Sequence, residues 1–596
     1  MNASTPPSSP GPAPPTPRTP RRWLLPLLLL IALAHAAIAL LGVRGHAATF
    51  DEPVHLVAAA HAAAAQFHLN PEHPPLWKLL PGLTQPHPPP LPADVAGDPV
   101  RQWPYAVEQL YRSGHDADAL LTRARVVMLV YPLATIVLGG LLVHALAGPA
   151  AAVLAALLLA LDPLLLAHGP LVTNDVPLTL ALLAVVAAAF LLRQRLARPT
   201  FAAALAPALL LGGLIGLAAC TKFTAVVLAP LLAAAVVLFP ARHDAPRRLA
   251  RAAPALVLAA AFAFATVWAV YGFRYRPSAD APAIDLQPLV ERIAQLRRLA
   301  DAPFPTGPDA ADSPLPPPDL ATRLLVALDR HHLLPNAFVA GLLTSYGVTR
   351  SNPAFLFGQL STSGWTWYFP AAALVKTPLA LLAAYAMLLW TLPRPHAPPA
   401  ARGLGALALL VFAVAAASPL NIGVRHVLPA LALLTLAAAV VLARTPRLAA
   451  ALLVALAAEV TLSYPHLISF FNAPARVVGP ERLLADSNLD WGQDLKRLAE
   501  WHHASGRPRL LVAYWGTADP AFYGLAGPDV LHLPNTYPYL PQHLPPPPRG
   551  DGSTFLAVSV SYLQGIQSGE VAPFFRRLRD RPVVHRVGTT IHIYPW

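Results

Sequence analysis

What most constrains this chain is its succession of long apolar segments separated by short charged loops. A helix that crosses a bilayer needs roughly 20 mostly apolar residues. The pattern predicts spans over 23–43, 125–147, 149–168, 171–192, 201–219, 223–240, 252–272, 367–392, 404–418, 423–443 and 447–465. Only 12% of residues are charged against 55% hydrophobic, which excludes a soluble globular protein, since these carry about a quarter charged residues. The same balance excludes a wholly disordered chain, which would be poor in apolar residues. One cysteine, Cys220, leaves no intramolecular disulfide and no zinc site of the multi-cysteine kind. The net charge of +13 would suit nucleic acid, but the basic residues lie between apolar segments, where they set topology. The expected partner is therefore the lipid bilayer and not nucleic acid.

The expected fold class is an α-helical polytopic membrane protein, about eleven transmembrane helices long, with a small C-terminal α/β domain outside the membrane. Residues 1–22 are Pro/Ser-rich, carry Arg18, Arg21 and Arg22, and read as a disordered cytoplasmic N-terminus. The segment 23–43 reads as an uncleaved signal anchor, because a secretory signal has an apolar region of only about 7–15 residues. A cytoplasmic N-terminus puts Arg193, Arg195 and Arg198, then Arg242, Arg247, Arg248 and Arg251, then Arg394 and Arg402, then Arg444 and Arg447 on the cytoplasmic side. That is what the positive-inside rule requires. The odd number of spans then leaves loops 44–122 and 273–366 and the tail 466–596 in the periplasm or outside the cell, around a membrane body of 23–465 in the plasma (inner) membrane. The tail combines a helical pattern, Trp491 to His502, with strand-like runs Leu510–Tyr514, Phe555–Val560 and Ile591–Tyr594. Pro545–Pro548 reads as a linker or surface loop.

The external segments hold the candidate chemistry. Asp51 and Glu52 stand where the first span leaves the bilayer, a costly place for two carboxylates unless they are used. Thr49 and Glu52 also form a Ser/Thr-x-x-Glu capping box that would start a helix. Adjacent helical residues point about 100° apart, so Asp51 and Glu52 cannot both face one reacting atom, whereas Asp51 and His55 share a face. Asn70-Pro71-Glu72-His73-Pro74-Pro75-Leu76-Trp77-Lys78 follows. Its consecutive prolines fix an extended backbone, which either presents Glu72 and His73 to a phosphate or a metal or turns the chain back to the membrane. Asp175 adds a carboxylate from the connection after His168.

Several charges sit oddly for a membrane protein. Arg425 lies at the external end of its span, against the charge bias elsewhere, and Lys376 lies about nine residues inside its span, where a lone cation is expensive. Glu459 stands near the outer end of the last span with no assignable partner. Asp486, Asp490 and Asp494 recur every fourth residue and would line one face if they shared a helix; a solvated face is the plain reading. Asp116-Ala117-Asp118, His331-His332 and His502-His503 read as surface features.

Asp51-Glu52, the Asn-Pro-Glu-His-Pro-Pro-Leu run and Leu171-Val172-Thr173-Asn174-Asp175 occur in that order around the first four spans. With Thr221-Lys222-Phe223, Trp367 to Pro370, Lys376-Thr377-Pro378 and Asn421 to Pro429, the chain resembles the C-type, polyprenyl-phosphate-dependent glycosyltransferases. The nearest branch is the protein O-mannosyltransferase and aminoarabinose transferase one (glycosyltransferase family 39-like). Tyr464-Pro465-His466 and the run Asp486 to Leu495 extend the likeness to a bacterial subgroup. The resemblance implies a polyprenyl-phosphate-linked sugar as donor and an acceptor hydroxyl on a protein, lipid or glycan, reached from the external face, with inversion at the anomeric carbon. It implies Asp51, with Glu52 beside it, as the catalytic carboxylate. Glu72, His73, Lys78, Asp175, Lys222, Lys376 and Arg425 would bind the donor phosphate or the substrate, and a divalent metal ion would sit on Glu72 and His73. Aminoarabinose transferases carry Glu-Lys before the two prolines where this chain carries Glu72-His73, which puts a phosphate-binding lysine at that place in doubt.

The alternative is a lipid-linked sugar carrier or flippase without transfer activity. Transporters keep ionisable groups near the midplane in two related halves, whereas here the acids gather at one surface. A ligase using a lipid diphosphate donor is chemically adjacent.

Overall fold

Leucine and alanine surround most of the membrane-body helices on every side, as they must where lipid is the outer solvent and other helices the inner one. The computed structural model describes residues 22–198, 200, 202–238, 245–301, 314–349, 353–533, 535–536, 540–541, 554–566 and 571–596. The N-terminal segment with Arg18 and Arg21, Arg242, and the run Pro545–Pro548 lie outside the described residues. Among the described residues, eight helices are long and apolar enough to cross a membrane: Leu24–Val43, Ala117–Ala147, Asp175–Leu196, Ala202–Ala219, Ala250–Val270, Pro399–Ala416, Val424–Leu442 and Pro446–Ser463. Three shorter apolar helices, Pro149–Ala160, Ala225–Leu238 and Leu379–Thr391, occupy the remaining predicted spans. Close approach depends on small residues: a Cβ added at Gly212 would meet the Ala259 carbonyl oxygen at 2.3 Å, and one at Gly216 the Ala263 oxygen at 2.6 Å.

Two predicted spans are broken. The segment 149–168 divides into Pro149–Ala160 and Pro163–His168, the second started by Asp162, whose carboxylate accepts from the Leu164 amide at 2.9 Å. The segment 367–392 divides at Thr377-Pro378 into Tyr368–Lys376 and Leu379–Thr391, because proline has no amide to continue the ladder. Other elements satisfy the backbone groups that the break frees. Asn472 donates to the carbonyls of Leu374 and Thr377, and Glu459 accepts from the amides of Leu379 at 2.9 Å and Ala380 at 3.0 Å. Glu459 is thus a helix cap, a charge placed where helix N-termini favour one. Lys376, expected deep within one unbroken span, is instead the last residue of the first half-helix.

The three large segments outside the spans meet at one end of the bundle. Ala47 and Phe50 donate their amides to the carbonyls of Gln493 and Trp491, Lys496 pairs with Asp118, and the Phe67 amide bonds Pro277. Ser345 donates to the Glu72 carbonyl. A hairpin of β1 (Ala354–Leu356) and β2 (Gln359–Ser361) lies against the tail through the Phe357 amide and the Leu483 carbonyl.

The tail carries β3 (Arg509–Ala513), β4 (Val530–His532), β5 (Asn535–Thr536), β6 (Leu540–Pro541), β7 (Thr554–Ser559), β8 (His585–Val587) and β9 (Ile591–Pro595). Five of these form a mixed sheet in the order β4-β3-β7-β9-β8, parallel through β4-β3-β7 and antiparallel through β7-β9-β8; β5 and β6 pair with each other. All three strand-like runs are strands, while the helix expected from Trp491 runs Leu495–Ala504. Leu495, Leu498, Leu510, Val512 and Ile593 share one apolar cluster with Val54, Leu56, Trp77, Leu110 and Leu121 of the first loop. Each such side chain contributes about 1.5–3 kcal/mol on full burial, so the tail and the first loop fold as one packed unit.

Candidate active site

Asp51 immediately precedes the helix Glu52–Ala63, Asp175 begins the helix Asp175–Leu196, and Arg425 sits in the short turn Val424–Val427 that leads into Leu428–Leu442. Three chain segments remote in sequence thereby meet at one point. Arg425 Nη1 lies 3.3 Å from Asp51 Oδ2 and 3.2 Å from Asp175 Oδ2, and Lys222 Nζ lies 2.5 Å from Asp175 Oδ1. Two carboxylates and two cations alternate, and each carboxylate of the row is held by a cation. Asp51 retains 18% of its side-chain exposure, whereas Asp175 retains none. Burial raises the Asp51 pKa above the usual carboxylate range, against the pull of Arg425.

Glu52 faces the other way, as the 100° argument requires. It is fully buried and accepts from Arg125 Nη2 at 2.6 Å and Nε at 3.0 Å, from the Val172 amide at 3.1 Å, and from the amide and hydroxyl of Thr49. Burial pushes its pKa up, but Arg125 and these donors outweigh it and bring the value below the ordinary one. Both Glu52 oxygens are thus taken up by these partners. It bonds back to Thr49 as the capping box predicts, yet the helix starts at Glu52 itself, with Asp51 as the residue before it.

The proline-rich run folds into a second cluster. Buried Lys78 donates to the Asn70 carbonyl and to Asn70 Oδ1, at 2.9 and 2.8 Å. Asn70 and Gln102 both donate to Glu72 Oε1, at 2.8 and 2.5 Å. Burial pushes Lys78 down to about 7 and raises Glu72. His73 Nδ1 faces Asn174 Nδ2 at 3.1 Å, and burial keeps this imidazole well below its ordinary pKa. The His55 ring, on the Asp51 side of its helix, meets His73 edge-on at 4.6 Å between centroids. Glu72 and His73 thus turn to different partners. Among the described residues no group of three or more His, Cys, Asp or Glu is arranged to hold a metal.

Lys376 also departs from expectation. It donates to the carbonyls of Ile468 at 2.9 Å and Asn488 at 2.5 Å and lies over the Phe471 ring. It ties the tail to the bundle and makes no contact with the Asp51–Arg425–Asp175–Lys222 row. Asp486, Asp490 and Asp494 share no helix: Asp486 has φ +56° in a tight turn, Asp490 binds the Gly492 and Ser561 amides, and Asp494 precedes the helix and binds Thr589, Thr590 and Arg497.

Three participants are absent from the sequence reading of the site. Arg125 stands at the start of a predicted span, where a charge beside an apolar stretch signals a buried partner. Ser487 donates its hydroxyl to the Ile422 carbonyl and accepts from Arg425 Nε at 3.1 Å, and the Trp491 ring lies 4.1 Å from the Arg425 guanidinium carbon. Nothing local marks these two residues as neighbours of Arg425; the motif they belong to was the available signal.

No protein-family model matches the chain, and no curated protein does. Among solved structures, the chain is similar to a protein O-mannosyltransferase and to ArnT. The first is the S. cerevisiae Pmt1-Pmt2 complex bound to the sugar donor, at 14% identity and a TM-score of 0.33, covering 48% of this chain. This chain spans 38% of the length of that one. ArnT from Cupriavidus metallidurans in the apo state matches at 15% identity and a TM-score of 0.29, over 95% of this chain and 97% of that one. The same protein bound to undecaprenyl phosphate matches at 15% identity and a TM-score of 0.27, with the same coverage.

Proposed function

We propose that this protein transfers a sugar from a polyprenyl-phosphate donor to an acceptor hydroxyl at the outer face of the membrane, with inversion at the anomeric carbon. The observation that carries this reading is Arg425, bonded at one nitrogen to both Asp51 and Asp175, with Lys222 on the far oxygen of Asp175. The acceptor oxygen attacks the anomeric carbon, its proton passes to Asp51, and the bond from that carbon to the phosphate oxygen breaks. The products are the glycosylated acceptor and the free polyprenyl phosphate. Positioned general bases supply about 10² to 10⁴ in rate. Burial suits Asp51 to the task, because a raised pKa makes its carboxylate a stronger base.

The leaving phosphate gathers negative charge, and donors already in place stabilise such charge without reorganisation. Arg425 and Lys222 supply those donors. Asp175 keeps the two cations side by side, where they would otherwise repel. The row lies at the end of the bundle where the large non-spanning segments meet, and the arginine bias of the opposite loops supports an external position for that end. A lipid donor then enters from the bilayer and a hydroxyl from water.

The test is transfer of labelled sugar from defined polyprenyl-phosphate donors by the purified protein, beside Asp51→Asn. Turnover falls at least a hundredfold in the variant while donor binding persists. Equal turnover in the two proteins removes Asp51 as base, and donor binding without transfer to any acceptor points to the carrier.

A further inference from the structure

Arg425 is held on three sides, and two of them come from the C-terminal tail. Nε donates to Ser487 Oγ at 3.1 Å, Nη1 serves Asp51 and Asp175, and the face of the guanidinium lies over the Trp491 ring at 4.1 Å. Among the described residues nothing accepts a hydrogen bond from Nη2. An arginine presents five donors in a rigid planar fork, so fixing Nε, Nη1 and the plane fixes the direction in which Nη2 points.

The tail that does this is itself anchored at both ends. Asn488 Oδ1 accepts from the Val424 amide at 2.9 Å, so the backbone before Arg425 is fixed as well as its side chain. Trp491 is nearly inaccessible, with the His168 ring at 5.8 Å. Its carbonyl accepts from the Phe50 amide at 2.8 Å, and Thr517 donates to the Phe50 carbonyl at 2.6 Å. The residue before Asp51 is therefore held on both peptide groups by the same tail. A Cβ on Gly423 would stand 2.3 Å from Ser487 Oγ, so the close approach of the two segments depends on that glycine.

We infer that the segment Ser487–Trp491 is the third wall of the anion site, with Ser487 and Trp491 acting as positioning residues that aim Nη2 of Arg425 at the phosphate of a polyprenyl phosphate. The inference rests on the function proposed above. It makes the C-terminal region part of the donor site, where sequence alone reads a separate external domain. Ser487 acts through the guanidinium and touches no reacting atom.

The experiment measures binding of a polyprenyl monophosphate lacking sugar to the full-length protein in detergent, beside donor KM and kcat for transfer. The variants are Ser487→Ala, Ser487→Thr, Trp491→Leu and Trp491→Phe, each checked for an unchanged melting temperature. Ser487→Ala and Trp491→Leu weaken monophosphate binding about tenfold or more and lower donor kcat/KM at least as much, because the guanidinium they aim also meets the charge that develops on the leaving phosphate. Ser487→Thr, which keeps the hydroxyl, and Trp491→Phe, which keeps an aromatic face, restore most of the affinity. Unchanged monophosphate affinity in well-folded Ser487→Ala and Trp491→Leu overturns the inference and leaves the proposed transfer standing. A wild-type protein that neither binds the monophosphate nor transfers sugar overturns both. Should Trp491→Leu fail to fold, the Ser487 pair decides, since a hydroxyl-specific loss restored by threonine has no counterpart in general destabilisation.

Discussion

Arg125 and Glu52 meet in a two-pronged ion pair shut off from water, with Nη2 2.6 Å from Oε2 and Nε 3.0 Å from Oε1 and the two side chains 4% and 0% exposed. Arg125 also donates to the carbonyls of Val43, His46 and Ala47, so the pair fastens the exit of the first span to the helix that follows. Breaking a buried pair from one side leaves an uncompensated charge and costs about 3–5 kcal/mol. Glu52→Ala accordingly lowers the melting temperature and the yield of folded protein, whereas Asp51→Asn melts close to wild type and loses turnover. A Glu52→Ala protein that is both stable and inactive would instead mark Glu52 as a reacting group.

The acidic limb of the pH–rate profile reports Asp51. Its working form is the carboxylate, and burial raises its pKa, so kcat/KM rises with pH through a value above the ordinary aspartate figure of about 3.9. Arg425 opposes that rise, and the residual activity of Arg425→Gln therefore shows its acidic limb at still higher pH. A limb below pH 3.9 in the wild type contradicts the assignment.

Asp490 gives the stability a pH dependence of its own. Burial raises its pKa to about 7, against the amides of Ser561 and Gly492. A carboxyl whose folded pKa is raised contributes stability that is fully present below its unfolded pKa of about 3.9 and is lost as pH rises through the folded value. Wild type thus melts higher at pH 5 than at pH 8. Asp490→Asn, neutral throughout, shows a smaller difference between the two pH values in calorimetry.

Lys222 bears on both binding and chemistry. Lys222→Ala leaves Asp175 with Arg425 and removes one of the two cations that meet the leaving phosphate, so donor kcat/KM falls about tenfold or more, with kcat sharing the loss. Initial rates over a range of donor concentration measure it, and unaltered kcat and KM take Lys222 out of the site.

Glu459→Ala exposes the first amides of Leu379–Thr391 without their acceptor. The loss of a cap costs about 0.5–2 kcal/mol, seen as a modest fall in melting temperature with KM for the donor unchanged. A change in KM would tie the broken helix to the site.

Sidedness is tested by thiol labelling, since Cys220 is buried. In intact cells an impermeant maleimide labels Ser505→Cys and spares Arg402→Cys, both positions being exposed on the protein surface. The reverse pattern inverts the topology and places the site inside.

The membrane body was legible because apolar length and arginine bias are local signals: each of the eleven predicted spans holds an apolar helix. Breaks at Asp162-Pro163 and Thr377-Pro378 had their prolines in view, yet the acceptors and donors that make them tolerable, Glu459 and Asn472, are distant in sequence. At the site, the divergence of Asp51 from Glu52 follows from helical angle alone. The contacts of Lys376 are not legible in the sequence because its partners are backbone carbonyls of the tail, which carry no residue-specific signature. The aspartates at 486, 490 and 494 have helical spacing, but the positive φ of Asp486 and the turn at Gly492 keep them off a common helix, a tertiary outcome that spacing does not encode.

The hydrogen bond from the Phe50 amide to the Trp491 carbonyl has a practical bearing on any shortened version of this polypeptide. A protein cut after Ser463 would still thread the bilayer, since among the described residues every helix long and apolar enough to cross it precedes that point. It would arrive there with its base unmoored and its arginine free to swing, inserted but chemically mute. Activity in such a truncate would return only by supplying the missing piece as a separate chain able to reseat that segment.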